Sequence, residues 1–328
     1  MSKIYDITIV GAGPVGLFAT FYAGMREADV HLIDSMQEVG GQLAALYPEK
    51  YICVVAVFQK IKAKDLVDQL YKQALTFNPT ITLGESVLNV ERSDEDIFEV
   101  MTTKNRYYTR TIIITAGAGA FQPRKLEIED SEKYEGKNLY YSINRLDDFA
   151  DQNVLICGGG DSAVDWALAL EPIANHITLI HRRNQFRAHE ASVSELKKSN
   201  VHIMTPYQIA ELKGDGSKIN QVVIKEVRGE MTKLLDVDSV IVNFGFITDL
   251  GPLKQWGLDI HRNCISVNQQ METNIPGIYS SGDICIYKGK PKLIATGFGE
   301  ATIAVNQAKL RIDPKARIHV HSTHLFEK

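Results

Sequence analysis

The chain has 328 residues, enough for two domains of about 150 residues with sizeable cores. Lys and Arg number 36 against 40 Asp and Glu, a formal net charge of −4, and this balance excludes a nucleic-acid binder that works through bulk positive charge. With 45% hydrophobic and 23% charged residues the chain is neither disordered nor fibrous, and no apolar run reaches the roughly 18 residues a membrane span needs. The start runs from Met1 through Lys3 and Asp6 into a strand-like stretch without a signal-type apolar core, so a cytosolic chain with no membrane partner is expected. Cys53, Cys157, Cys264 and Cys285 are far apart, which leaves no disulfide framework, no zinc-site spacing and no Cys-x-x-Cys redox pair.

Residues 5–10 read as a buried parallel strand, followed by Gly11-Ala12-Gly13-Pro14-Val15-Gly16 and an apolar helix over 17–25. A second strand over 30–33 delivers Asp34 at its carboxyl end, 23 residues after Gly11, completing a βαβ unit. A helix over 64–77 and β-like segments over 81–90, 97–102 and 106–115 follow. The stretch 116–123 reads as a crossing into a second domain, and Asn243-Phe244-Gly245-Phe246 as the return. Between them the first grammar recurs: a strand over 153–157, Gly158-Gly159-Gly160-Asp161-Ser162-Ala163, a helix through Leu170, and a strand over 177–180 that ends at His181, 23 residues after Gly158. The expected fold is α/β, with two Rossmann-like three-layer dinucleotide-binding domains, the second inserted in the first. The discontinuous first domain spans 1–117 and 247–328, and the second spans 118–246.

At the first site Gly11, Gly13 and Gly16 let backbone N–H groups and the dipole of the following helix approach a pyrophosphate. Asp34 is placed to accept bonds from ribose hydroxyls and would repel a 2′-phosphate, so the ligand should carry an unmodified adenosine ribose, as FAD or NAD does. At the second site, built on Gly158, Gly160, Asp161 and Ser162, the matching strand tip reads His181-Arg182-Arg183, with Arg187 close behind. Two charge-assisted bonds to a 2′-phosphate are together worth about 3–6 kcal/mol. Halved for solvent exposure, that still favours NADPH over NADH by about one to two powers of ten. The competing reading is a solvated basic turn. Sites for FAD and NADPH together describe a flavoprotein that moves hydride between nicotinamide and isoalloxazine.

Gly40-Gly41-Gln42, Thr115-Ala116-Gly117 and Ser281-Gly282-Asp283-Ile284 resemble the two-dinucleotide flavoprotein disulfide reductases, thioredoxin reductase above all. That resemblance implies that Asp283 bonds the ribityl chain of FAD. Thioredoxin reductases carry a dithiol at the helix start where this chain has only Cys157, so electrons cannot leave through a thiol pair and must pass from flavin to an acceptor. The chain is more similar to the bacterial thioredoxin-reductase-like ferredoxin–NADP+ reductases. That likeness covers nearly the whole chain and rests on Leu46-Tyr47-Pro48-Glu49-Lys50-Tyr51, Gly160-Asp161-Ser162-Ala163-Val164-Asp165-Trp166-Ala167, His181-Arg182-Arg183, Phe186-Arg187-Ala188-His189-Glu190 and the tail His321-Ser322-Thr323.

The family likeness implies that Tyr47 stacks on one flavin face and His321 on the other, with Gln42, Val87 and Phe121 lining the cofactor and His324 touching it. Tyr47 and His321 are thus the candidate catalytic residues, and a domain rotation or tail shift would have to open the ring to hydride. The bland alternative for Tyr47 is a packed loop tyrosine. The likeness also implies ferredoxin or flavodoxin as carrier and a homodimeric assembly. Two other readings of the whole chain stay open: an NADPH-dependent disulfide reductase of an external thiol protein, and a non-catalytic flavin redox sensor. His319, His321 and His324 form a metal cluster on one reading and a solvated tail on the favoured one. Lys288, Lys290 and Lys292 either dock an acidic carrier or lie in an ordinary exposed loop. The chain departs from the family where relatives read Tyr-Asp-Val-Ala-Gly-Phe-Pro-Lys and it has Cys53-Val54-Val55-Ala56-Val57-Phe58-Gln59-Lys60. Val57 cannot take φ > 0 cheaply, so a rearranged loop is expected there. At 324, relatives tend to have serine.

Overall fold

The structure, a computed structural model, describes residues 3–117 and 119–317, with Ala120 and Phe121 described by backbone alone. The chain divides into two compact units, Met1–Ala45 with Tyr51–Ala120 and Thr248–Lys328, and Leu46–Lys50 with Phe121–Ile247. The short piece Leu46–Lys50, expected in the first domain, goes with the second unit. The crossings run through the strands Ala120–Pro123 and Phe246–Asp249, which pair with each other.

In the first unit, Ile4–Val10 is flanked in parallel by Val30–Asp34 on one side and Arg106–Ile114 on the other, with Thr80–Leu83 beyond Val30–Asp34. Such strands are covered on both faces, and therefore read as continuous apolar runs; Ile7, Ile9, Leu32, Ile33, Ile112, Ile113 and Ile114 are all fully buried. The nine-residue strand Arg106–Ile114 changes partner along its length. Its first half pairs antiparallel with Phe98–Thr102 and its end pairs parallel with Ile278–Ser280. The single β-like segment expected over 81–90 is two strands, Thr80–Leu83 and Val87–Arg92, broken at Gly84, whose φ is +68°. The helix Pro14–Met25 begins with Pro at its first turn, where the missing N–H costs nothing.

The second unit repeats the arrangement on a five-stranded parallel sheet, in the order Leu139–Tyr140, Ser239–Val242, Asn153–Cys157, His176–Ile180, His202–Met204. An antiparallel meander, Tyr207–Gly214, Ile219–Glu226 and Thr232–Asp236, is added to it. The helix Asp161–Leu170 buries Ala163, Val164, Trp166, Ala167 and Leu170 in one cluster with Ile156, Leu179 and Ile241 of the sheet. In both units the glycine turn thus lies at the carboxyl end of a central strand, where open α/β sheets bind nucleotides. Among the described residues no helix is long and apolar enough to cross a membrane.

One polar group lies deep in the first sheet. His31 is fully buried, its Nε2 2.9 Å from Thr82 Oγ1, its ring stacked on Tyr5 at 4.5 Å and edge-on to Tyr107 at 4.5 Å. Burial holds its pKa down at about 4, against 6.5 in the open chain, so the folded protein keeps it neutral. Below about pH 6.5 the unfolded chain takes up a proton that the folded chain refuses, and stability falls until about pH 4, by about 3 kcal/mol for this group. Denaturant unfolding followed across that range should show the loss, and His31→Phe should flatten it. An unchanged slope in the variant would assign the loss to other groups.

Candidate functional site

Gly11, with φ +115°, turns the chain at the end of Ile4–Val10, and Gly16 comes so close that an added Cβ would lie 1.8 Å from the Gly11 carbonyl oxygen. No side chain fits there, and the backbone amides at the start of Pro14–Met25 stay open to an anion. Thr115 closes the other side, its Oγ1 donating to the Gly11 carbonyl at 2.7 Å. Asp34 stands at the tip of Val30–Asp34, where its carboxylate accepts from the N–H of Ala12 at 2.5 Å and of Met36 at 2.7 Å. Burial nevertheless raises its pKa, the two backbone bonds opposing the shift. The remaining lone pairs of this fixed carboxylate suit ribose hydroxyls.

Around that loop the structure gathers the other residues the sequence singled out in this unit. Gly40 N–H donates to the Ala12 carbonyl at 2.8 Å, which ties Gly40-Gly41-Gln42 to the glycine turn. The Gln42 amide lies 3.6 Å from where a Cβ on Gly117 would be, and Gly282 rests against Val15. Asp283 follows, exposed. Ser281 Oγ is buried and without a hydrogen-bond partner in the described chain. A glycine cradle, a helix N-terminus, a ribose carboxylate and an orphaned hydroxyl fit a dinucleotide such as FAD. Val87, expected to line the cofactor, is 8% exposed and packs in the core with Phe98 and Ile114. Of Phe121 only the backbone is described, and His319, His321 and His324 lie outside the described residues.

In the second unit Gly158 turns the chain after Asn153–Cys157. Gly159 lies under the His181 imidazole, where a Cβ would be 2.3 Å from the ring. Arg187 N–H donates to the Gly159 carbonyl at 2.7 Å and His189 N–H to Asp161 Oδ1 at 2.9 Å, so the 181–189 loop is folded down onto the glycine turn. Arg182, Arg183 and Arg187 are all exposed on it. A pocket of about 440 Å³ is lined by Arg183, Gln185, Phe186, Arg187, Ala188 and Glu190. His181 stacks on Phe186 at 5.5 Å, and burial first, then the neighbouring arginines, hold its pKa below the ordinary value. Buried His181 Nε2 and Asn243 Oδ1 have no hydrogen-bond partner in the described chain. Two orphaned polar atoms and three guanidinium groups beside a glycine turn fit a phosphorylated nucleotide. Gly160 caps Asp161–Leu170, which leaves the amides of Asp161 and Ser162 at the helix mouth.

Tyr47 packs on the apolar cluster of the second unit, and Lys50 beside it pairs with Asp165 at 2.6 Å. Lys290 is not a surface cation: its side chain is 3% exposed and paired with Glu300, whereas Lys288 and Lys292 are exposed. Val57 does take a positive φ, +82°, as the third residue of a turn in which Phe58 N–H donates to the Val55 carbonyl at 3.3 Å. The cost of φ > 0 at a β-branched residue is accepted rather than avoided, and its side chain stands 99% exposed. Sequence reading missed Glu300; its signal is a carboxylate within the small and apolar run of Ile294–Ile312.

A family model described as pyridine nucleotide-disulphide oxidoreductase matches residues 5–308, which defines the class. The chain is 63% identical to the ferredoxin–NADP reductase of Halalkalibacterium halodurans and 56% identical to that of Geobacillus kaustophilus, each alignment covering 99% of this chain and 98% of the relative. The crystal structure of T. acidophilum thioredoxin reductase superposes with a TM-score of 0.82 at 26% identity, over 94% of this chain and 98% of that one. The chain therefore belongs to the pyridine nucleotide-disulphide oxidoreductases, and within them to the thioredoxin-reductase-like ferredoxin–NADP reductases. This membership implies FAD and NAD(P)H as cofactors.

Glycine relieves the strain at position 57 and loses more entropy on folding, a balance that favours Val57→Gly by about 1 kcal/mol. The denaturant midpoint of the variant should rise accordingly. A midpoint equal to or below the parent's would show that the turn carries no strain.

Proposed function

We propose that the chain is an FAD-dependent ferredoxin or flavodoxin–NADP+ reductase, with FAD held by the first unit and NADPH by the second. The observation that carries this reading is the charge at the two strand tips. Asp34 ends one strand as a fixed carboxylate, and His181, Arg182 and Arg183 end its counterpart as a cationic turn. A carboxylate accepts ribose hydroxyls and repels a phosphate, while guanidinium forks bind a phosphate bidentately.

FAD, when bound, supplies the chemistry: it takes a hydride from a nicotinamide and passes electrons on one at a time. The protein's own contribution is binding and alignment. Gly11, Gly13 and Gly16 admit the pyrophosphate of FAD to the helix mouth, Asp34 holds its ribose, Gln42 lines it and Asp283 takes the ribityl chain. Gly158, Gly160, Asp161 and Ser162 do the corresponding work for NADPH, with Arg182, Arg183 and Arg187 on the 2′-phosphate. Neutral His181 and Asn243 offer polar atoms to the same nucleotide. Aromatic cover of the flavin by Tyr47 and His321, with Val87, Phe121 and His324 at its edges, completes the proposal. Such cover excludes water and orders hydride access.

The exit of electrons follows from the cysteines. Cys157 is the one cysteine between residues 121 and 247; it is buried, and burial alone pushes its thiol far up. A protonated, solitary thiol cannot relay a two-electron equivalent to an external disulfide. A one-electron protein carrier, ferredoxin or flavodoxin, fits instead, as the names of the relatives at 56–63% identity support.

The direct test is stopped-flow mixing of the holoprotein with NADPH, then with ferredoxin or flavodoxin. Bleaching of the flavin absorbance followed by carrier reduction is expected; flavin that stays oxidised contradicts the proposal. For specificity, Arg182→Ala with Arg183→Ala should lower kcat/KM for NADPH by about 10–100-fold. The value for NADH should change by about twofold at most. Equal losses with both nucleotides would remove these arginines from the 2′-phosphate.

A further inference from the structure

The turn that carries Asp283 is held from behind. Ser281 N–H donates to the Ile114 carbonyl at 3.0 Å, which fixes the start of the turn to the sheet. At the next residue the chain swings away, with φ +81° at Gly282, and the Gly282 N–H donates not to the sheet but to Glu300 Oε2 at 2.8 Å. Asp283 is exposed, so the point from which its side chain departs is set by this backbone turn.

Glu300 lies inside Ile294–Ile312 and is 3% exposed. Its Oε1 accepts from Tyr287 Oη at 2.7 Å and from Lys290 Nζ, and the Lys290 side chain is equally buried. Cys285 Sγ donates to the Gly282 carbonyl at 3.4 Å and lies 3.7 Å from Glu300 Oε2. Burial and the adjacent carboxylate push the Cys285 thiol up to about 12, so it remains a neutral donor. The backbone of Gly282 and the side chains of Cys285, Tyr287 and Lys290, which surround this carboxylate, all come from one stretch of chain. Burying an ion pair is a weak way to gain stability, because desolvation offsets the attraction. What this pair supplies is geometry: a charged acceptor that aims one amide.

We infer that Glu300, neutralised by Lys290, is the positioning residue that sets the turn at Gly282 and Asp283 for FAD. The inference rests on the reading that Asp283 holds FAD. Glu300 does not touch the cofactor; it acts through the Gly282 amide. The same role explains why Lys290 is withdrawn from the surface while Lys288 and Lys292 on either side of it are exposed.

The test uses holoprotein and the rate of FAD release, followed by the rise in flavin fluorescence on dilution. It is read together with the visible circular dichroism of the bound flavin and the unfolding temperature. Glu300→Gln with Lys290→Met removes both charges but keeps an acceptor for Gly282, and release within about threefold of the parent is expected. Glu300→Leu with Lys290→Met removes the acceptor as well. It should release FAD about tenfold faster or more, the loss expected for one bond to a charged acceptor, with an altered flavin dichroism. Glu300→Asp keeps the charge and draws it back by one methylene, and should release FAD several-fold faster even if the leucine variant does not fold. Equal release from the two double variants, or a parental rate for Glu300→Asp, would overturn the inference while leaving Asp283 in place. Asp283→Asn separates the two readings: it should release FAD at least about tenfold faster, and a parental rate there would remove the flavin reading and this inference with it.

Discussion

A dinucleotide pyrophosphate must come close enough to backbone amides for its charge to be met, and in this chain the carboxyl ends of two strands offer that approach. At each, a glycine turn opens directly into a helix that has no side-chain cap over its first turn. Gly16 shows how tight the constraint is, since a single methyl group would collide with the carbonyl of Gly11. Once the turns are fixed, the next strand of each unit ends beside them, and in the proposed sites the side chain at that tip is the one that would meet the adenosine ribose. The charge of that side chain then separates the two sites. Asp34 is locked in place by Ala12 and Met36, and the arginines on the 181–189 loop remain at the solvent edge where a phosphate can reach them.

Much of this was legible in the amino-acid sequence because it depends on local pattern. Continuous apolar runs marked the central strands, the glycine spacings marked the turns, and the equal 23-residue intervals to Asp34 and His181 marked the strand tips. Each of these features is set within about thirty residues of chain. What was not legible depends on contacts distant in sequence or on backbone compensation. Leu46–Lys50 goes with the second unit because Tyr47 and Lys50 find partners there, Lys50 pairing with Asp165 more than a hundred residues on. Lys290 reads as one of three loop lysines and is in fact drawn inward by Glu300. Val57 reads as incompatible with the turn it occupies, and the chain tolerates it there because the side chain projects into solvent and meets no neighbour.

The two sites also differ in how they are supported. Around the Gly11 turn the polar contacts are internal and buried: Thr115 on Gly11, Gly40 on Ala12, Glu300 on Gly282. Around the Gly158 turn the fixed contacts are backbone bonds from Arg187 and His189, and the arginines are exposed at the surface. A buried, internally braced cradle suits a cofactor that stays, as proposed for FAD; an exposed cationic edge suits one that arrives and leaves in each turnover, as proposed for NADPH. Charge at an exposed edge also steers an anionic nucleotide and is screened by salt.

The central claim, that phosphate charge is recognised at one strand tip and refused at the other, is tested most directly by calorimetric titration of the FAD-loaded protein. The titrants are adenosine 2′,5′-bisphosphate and adenosine 5′-monophosphate, at low and at high salt. The bisphosphate should bind at least about tenfold more tightly, with the advantage shrinking as salt rises. Equal affinities, or a preference that salt does not change, would contradict it.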